Sequence, residues 1–162
     1  MRRSFPILRI PIRASLFAPS MSKSASIEEI FPLSPLQKGL LFHTLFEPGE
    51  AVYFEQLTCE LHGRFDEAAF AATWRLLVAR HPILRTAFVW KGQREPVQVV
   101  HRSLEMPWRA EDWREFSPAQ QAEKLTAFLA EDRRRGFEPN RAPLMRLATL
   151  RLSETVWQLV WS

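Results

Sequence analysis

Val156-Trp157-Gln158-Leu159-Val160-Trp161 places Trp157, Leu159 and Trp161 on one side of an extended segment and Val156 and Val160 on the other. Side chains alternate across a strand, so both faces of this one are apolar. Such a strand belongs inside a sheet, with packing above and below, and not at a solvated edge. Met145–Leu152 and Thr155–Trp161 read together as a hairpin. The chain must therefore supply further strands and covering helices. At 162 residues and 46% apolar, with 12 Phe, it is long enough to do so as one domain.

The covering helices announce themselves through cap chemistry. Ser34-Pro35-Leu36-Gln37 and Ser117-Pro118-Ala119-Gln120 each offer a hydroxyl to an N3 amide, a returning glutamine, and a proline at N1. The first helix carries Leu40, Leu41, Phe42, Leu45 and Phe46, apolar nearly all round, and is expected to be buried from two sides before Pro48-Gly49 stops it. The later helix turns Leu125, Phe128 and Leu129 inward. Arg133, Arg134 and Arg135 complement its carbonyl end, and Gly136 closes it. Between them, Tyr53–His62 alternates as a half-buried strand, with Leu57, Cys59 and Leu61 on one face. Asp66 caps a helix with Phe65 and Phe70 as a hydrophobic staple and Phe70, Trp74, Leu77 and Val78 as its buried stripe. Pro82 ends that helix, and Thr86–Trp90 with Pro96–His101 predicts a hairpin around Lys91-Gly92-Gln93-Arg94. A connection containing Trp108 and Trp113 follows. The order helix, strand, helix, hairpin, helix, hairpin predicts an α/β (α+β) chain with helices packed on a mixed sheet.

The formal charge of +4 misleads. Residues 1–26 hold Arg2, Arg3, Arg9, Arg13 and Lys23 and no acid, which leaves 17 basic against 18 acidic residues in the remainder, a net of −1. A nucleic-acid-binding face needs basic residues clustered on the folded part, so that class loses its support. No 18-residue apolar run encodes a membrane span. The lone Cys59 fits a reducing, cytoplasmic setting without disulfides. Residues 1–26 are expected to be a disordered basic arm or the product of an upstream start codon, Met21 opening a conventional N-terminus. Pro6, Pro11 and Pro19 count against a targeting helix. Residues 27–162 are the folded unit.

Arg80-His81-Pro82-Ile83-Leu84-Arg85-Thr86-Ala87-Phe88 spaces two arginines five residues apart across a helix-to-strand junction. The planar guanidinium fork suits a buried carboxylate, which makes Arg80 and Arg85 candidate site residues. Taken without context, the pair reads first as surface arginines with snorkelling stems. Other signals have ordinary explanations. Cys59 and His62, three apart on a strand, point to opposite faces and make no metal pair. His43 is expected half-buried and satisfied, and His81 packed at a helix end. Arg133–Arg135 read as a solvated helix end in preference to a patch that steers an acidic partner. No G-x-S-x-G, P-loop or dinucleotide fingerprint points to a serine hydrolase or nucleotide enzyme.

Three segments together resemble one family. Phe31-Pro32-Leu33-Ser34-Pro35-Leu36-Gln37-Lys38-Gly39-Leu40-Leu41-Phe42-His43 is similar to the first motif of nonribosomal peptide synthetase condensation domains, and Arg80–Phe88 to their second. Gly136-Phe137-Glu138-Pro139 through Ala142-Pro143-Leu144-Met145-Arg146 resembles the approach to their central strand. Order and spacing agree over residues 27–162. The resemblance implies part of the N-terminal lobe of a chloramphenicol-acetyltransferase-like, two-lobe fold. Peptidyl or acyl carrier proteins deliver phosphopantetheine-tethered substrates to a tunnel between the lobes, where an amine attacks a thioester. No cofactor or metal is bound directly.

The family's third motif, His-His-x-x-x-Asp-Gly, follows a strand like Val156–Ser162 and carries the histidine that handles the amine proton. Arg80 and Arg85 are then the expected salt-bridge partners of that motif's Asp. The motif does not occur among His43, His62, His81 and His101. The expectation is a truncated domain, inactive alone, with Arg80 and Arg85 deprived of their partner and the last strand left uncovered, so that the chain aggregates or oligomerises. Two alternatives stay open. One is a non-catalytic module that binds a carrier protein or complements a separately encoded second half. The other is an acyltransferase of the same fold acting on an alcohol.

Overall fold

The computed structural model describes residues 27–46 and 53–162. Residues 1–26, with the expected basic arm, and the Pro48-Gly49 stop lie outside the described residues. Eleven elements follow in order. They are β1 (Ile27–Pro32), α1 (Pro35–Phe46), β2 (Leu57–His62), α2 (Glu67–Arg80), a 3-10 turn (Pro82–Arg85), β3 (Thr86–Val89), β4 (Val97–His101), β5 (Trp108–Asp112), α3 (Pro118–Arg135), β6 (Leu147–Arg151) and β7 (Val156–Trp161).

The helix starts form as their cap residues dictate. Ser34 N–H donates to Gln37 Oε1 at 2.8 Å while Gln37 N–H returns to Ser34 Oγ at 3.2 Å. Ser117 and Gln120 repeat this reciprocal arrangement at α3. Ala69 N–H donates to Asp66 at α2, and the Phe65 and Phe70 rings meet at 5.2 Å as the staple requires. Gly136, at φ +56°, ends α3 in a conformation that costs a glycine little.

The strands divide between two sheets where the sequence suggested one. A three-stranded antiparallel sheet has the order β1-β4-β3, and a four-stranded mixed sheet the order β2-β7-β6-β5. β7 lies inside the second, antiparallel to β2 from Leu57↔Trp161 to His62↔Val156 and antiparallel to β6 on its other side. β5 completes the sheet parallel to β6. The alternating run at Tyr53–Gln56 is not strand, because the ladder ends where β7 ends, at Trp161.

Both faces of β7 are covered, contrary to the expectation that this strand lies bare. On one face Trp157 packs on Phe65 at 4.9 Å and Trp161 on Trp74 at 5.6 Å, while Phe70 meets Trp108 at 5.4 Å. On the other, Val160 joins Trp113, Ala148 and Leu150 in a core roofed by Leu125, Phe128 and Leu129 of α3. The sheet is thus sandwiched between α2 and α3, each buried ring removing on the order of 150–250 Å² from water. Trp161, at the end of β7, stays 42% exposed, and larger apolar exposure lies on α1. On α1 only Leu41 is buried, while Leu36 and Phe46 are each 72% exposed and Phe42 62%. The expectation of a helix buried from two sides is corrected: one face packs on the described residues and the other is largely exposed.

Candidate functional site

The junction between α2 and β3 follows from Pro82, which has no N–H to continue the helix. His81 N–H still bonds Leu77 O at 3.0 Å; one 3-10 turn then carries the chain round to Arg85, and Thr86 Oγ1 donates to Pro82 O. His81 is exposed, not packed, because its backbone and not its ring closes the helix.

The two candidate arginines part company here. Arg85 is 4% exposed. Its Nε donates to Val78 O at 2.9 Å and its Nη2 to Ala79 O at 3.4 Å. Its Nη1 reaches Glu28 Oε2 at 2.5 Å, Arg102 O at 3.3 Å and His101 O. The expectation that this charge stands without a partner is corrected: Glu28, on β1, supplies the carboxylate, and backbone carbonyls satisfy the rest of the fork. Arg80 lies exposed at the end of α2 and makes no hydrogen bond or ion pair among the described residues.

A second arginine cluster has no counterpart in the sequence reading. Arg146, just before β6, donates from Nε to Asp132 Oδ1, from Nη1 to Gly136 O at 2.7 Å and from Nη2 to Asp132 O at 2.5 Å. Asp132 Oδ2 also accepts Gln56 Nε2 at 2.8 Å and Ser162 Oγ at 2.5 Å. Both side chains of the ion pair are about nine-tenths buried, 11% and 10% exposed. Burial pushes the Asp132 carboxyl up, but hydrogen bonds from Arg146, Ser162 and Gln56, with the Arg146 charge, outweigh it and hold the group below the usual carboxylate range. The signal available was Arg146 itself, which closes the stretch from Gly136 that resembles the approach to the central strand. Its carboxylate partner, 14 residues earlier amid arginines, looks like a helix-end charge.

A groove of about 650 Å³ runs between α1, the start of the β3–β4 turn and the end of α3. Leu41, Phe54, Phe88, Trp90 and Phe137 line it, with Lys91 and Arg133–Arg135. Phe54 and Phe137 stack at 5.5 Å, and the Arg146 guanidinium lies 4.2 Å from the Phe137 centroid and 5.4 Å from that of Phe54. The ion pair therefore backs the apolar wall of the groove. Of the basic run, Arg134 pairs with Glu131 and Arg133 lies 5.3 Å over Phe54.

The histidines do not assemble with either cluster's side chains. His43 is exposed, not half-buried, with its ring edge-on to Tyr53 at 6.4 Å. His62 pairs with Glu60 at 3.1 Å. His101 gives Arg85 only its carbonyl, and its Nδ1 is buried without a hydrogen-bond partner among the described residues. No group of three or more His, Cys, Asp or Glu able to hold a metal occurs among the described residues, and among them no helix is long and apolar enough to cross a membrane. The geometry on hand can orient backbone and fix a carboxylate.

Residues 27–162 match the family described as the condensation domain. One polypeptide of the linear gramicidin synthase of Brevibacillus parabrevis is 43% identical over 98% of this chain and 2% of its own length. One of the mycosubtilin synthase of Bacillus subtilis is 40% identical over 84% of this chain and 5% of its own. The tallysomycin biosynthesis protein TlmII superposes with a TM-score of 0.67 at 30% identity, over 82% of this chain and 32% of that one. The starter condensation domain of rhizomide synthetase RzmA shares the fold, with a TM-score of 0.72 at 19% identity over 83% of this chain and 33% of that one. The chain thus spans a few per cent of these curated relatives and about a third of the solved neighbours.

Proposed function

Because this chain belongs to the condensation-domain family, we propose that residues 27–162 supply part of the N-terminal lobe of an amide-forming acyltransferase of nonribosomal peptide synthesis, acting in the cytoplasm. The substrates are aminoacyl or peptidyl groups held as thioesters on the phosphopantetheine arms of carrier proteins, the partners this lobe serves together with the rest of a condensation domain. The acceptor amine attacks the donor carbonyl, a C–N bond replaces the C–S bond, and the thiol leaves with the proton. In the family the histidine motif after the central strand assists that proton transfer. The sequence has no adjacent histidines, so the isolated chain is inactive.

The observation that carries this reading is the match along all of residues 27–162. The open apolar face of α1, which bears the first of the three motifs, supports it: a helix with Phe42 and Phe46 so exposed is suited to further protein. Within the scaffold, Arg80 is the arginine with donors to offer the third motif's Asp. Arg85, bound to Glu28 and to carbonyls of α2 and β4, serves by fixing the junction from which Arg80 projects.

The test is complementation. The chain is purified alone and together with the second half of the condensation domain of its linear gramicidin synthase relative, then supplied with two aminoacyl-loaded carrier proteins. Amide product is expected only from the pair. Product from the chain alone overturns the inactivity, and failure of the halves to associate overturns the lobe assignment. Association with loaded carriers but no product favours the rival reading, a non-catalytic carrier-binding module, for which the basic run beside the groove is the supporting feature.

A further inference from the structure

Four separate stretches of chain converge on one carboxylate. Asp132 in the last turn of α3 holds Gln56 from the approach to β2, Arg146 from the entry to β6 and Ser162 from the exit of β7. Two backbone bonds reinforce the last of these: Arg146 N–H to Ser162 O at 2.9 Å and Ser162 N–H to Arg146 O at 3.0 Å. On its other side Arg146 supports Phe54 and Phe137, whose rings form the groove wall.

Stability alone gives little reason for this arrangement. β7 is already paired along its length with β2 and over Trp157–Trp161 with β6, and it is packed on both faces. Taking two charges out of water costs several kcal/mol each, roughly cancelling their attraction, and the better attested use of a buried ionic group is to select one geometry. A buried polar network of this kind rigidifies what it touches. Here it touches the exit of the central strand and the wall of the groove at once.

Resting on the reading above, in which the family's histidine motif follows β7, we propose that Asp132 and Arg146 are positioning residues. They lock Ser162 at a set distance from the wall formed by Phe54 and Phe137, and so place the histidine relative to a thioester lying in the groove. Neither touches substrate; both act through Ser162 and the two rings.

S162A removes one hydroxyl and Q56A one amide, and both leave the ion pair in place, so they report on positioning even if D132N fails to fold. In the full chain, hydrogen exchange of the backbone amide at position 162 is expected to quicken about tenfold, the scale of one such bond. Exchange at Leu150 and Val160 should quicken only as far as the fall in global stability requires. In the chain joined at position 162, as one polypeptide assembly, to the histidine motif and second half of its linear gramicidin synthase relative, S162A and Q56A should lower kcat about tenfold and leave KM for the carrier-bound donor unchanged, since misplacement affects the reacting geometry and not docking. The proposal is overturned by unaltered exchange at position 162, by uniform quickening through α3, β6 and β7, or by a KM change that accounts for the loss. If the wild-type assembly makes no amide at all, the proposed function fails by itself, and the exchange comparison alone then decides the positioning.

Discussion

Arg85 and Arg146 are both buried guanidinium groups with every nitrogen hydrogen-bonded, yet they are held in different ways. Arg85 spends most of its donors on the carbonyls of Val78, Ala79, His101 and Arg102, and its one carboxylate, Glu28, is 37% exposed. Arg146 faces a carboxylate as buried as itself, and that carboxylate holds two further side chains. The first cluster is a backbone clamp with a solvated counter-ion. The second is an ion pair on which four segments depend. Deleting the carboxylate should therefore cost far more at the second place than at the first.

The largest effect is expected for Asp132→Asn. Arg146 would be left as a buried charge facing a neutral amide, a loss of about 3–5 kcal/mol that urea or thermal unfolding would register. Arg85→Ala follows, at about 2–3 kcal/mol, because the carbonyls it serves lose a charged donor in a buried place. Glu28→Gln should cost less than about 1 kcal/mol, since water already shares that carboxylate. Equal losses for Asp132→Asn and Glu28→Gln would erase the distinction drawn between the clusters.

Acid sharpens the same contrast. Asp132 is held below the usual carboxylate range when folded. Its contribution is therefore fully present above the unfolded value, about 3.9, and is lost as pH falls through the lowered folded value. Stability measured between pH 7 and pH 3 should decline less steeply in Asp132→Asn than in the wild type; identical slopes would mean the carboxylate is not the acid-sensitive element. A depressed value alone is no guide to importance. Asp112 is drawn down to about 2, chiefly by the Arg114 side chain, but it sits at the exposed end of β5, where salt screens the pair.

The elements that could be read from the sequence are those whose cause is local. Ser34 with Gln37 and Ser117 with Gln120 determine their helix starts within four residues, and both boxes form. The interior place of β7 was legible from its own alternation, since a strand apolar on both faces has few other places to go. β1 and β5 were not legible because charge or proline, which edge strands tolerate, breaks their apolar alternation: Glu28, Glu29 and Pro32 in one, Arg109, Glu111 and Asp112 in the other. The partners of the two arginines were illegible for another reason. Glu28 lies 57 residues from Arg85, and Gln56 lies 76 from Asp132. Nothing in a linear pattern distinguishes these polar residues from solvated ones.

A prediction of smaller size separates helix stability from the clusters. Ser117→Ala removes one half of the capping box at the far end of α3, about 1 kcal/mol by unfolding. Because Asp132 lies about four turns further along the helix, hydrogen exchange at position 162 should change only as much as global stability does. A selective loss there would mean that the Asp132 cluster is strained by its helix and not self-sufficient.

The smallest expected effect on stability is at Arg80, and it tests the candidate pair most directly. Arg80 is exposed and has no partner among the described residues, so Arg80→Ala should fall within about 0.5 kcal/mol of the wild type. If Arg80 exists to meet a carboxylate that follows β7, the same variant should nevertheless fail to support amide formation in the complemented domain, and Arg80→Lys should restore it only in part, because an ammonium cannot reproduce a two-pronged contact. Arg85→Ala would lose both stability and activity, and so cannot distinguish scaffold from site. A silent Arg80, neutral in unfolding and in amide formation alike, would return it to the surface and leave Arg85 and Arg146 as the arginines that matter.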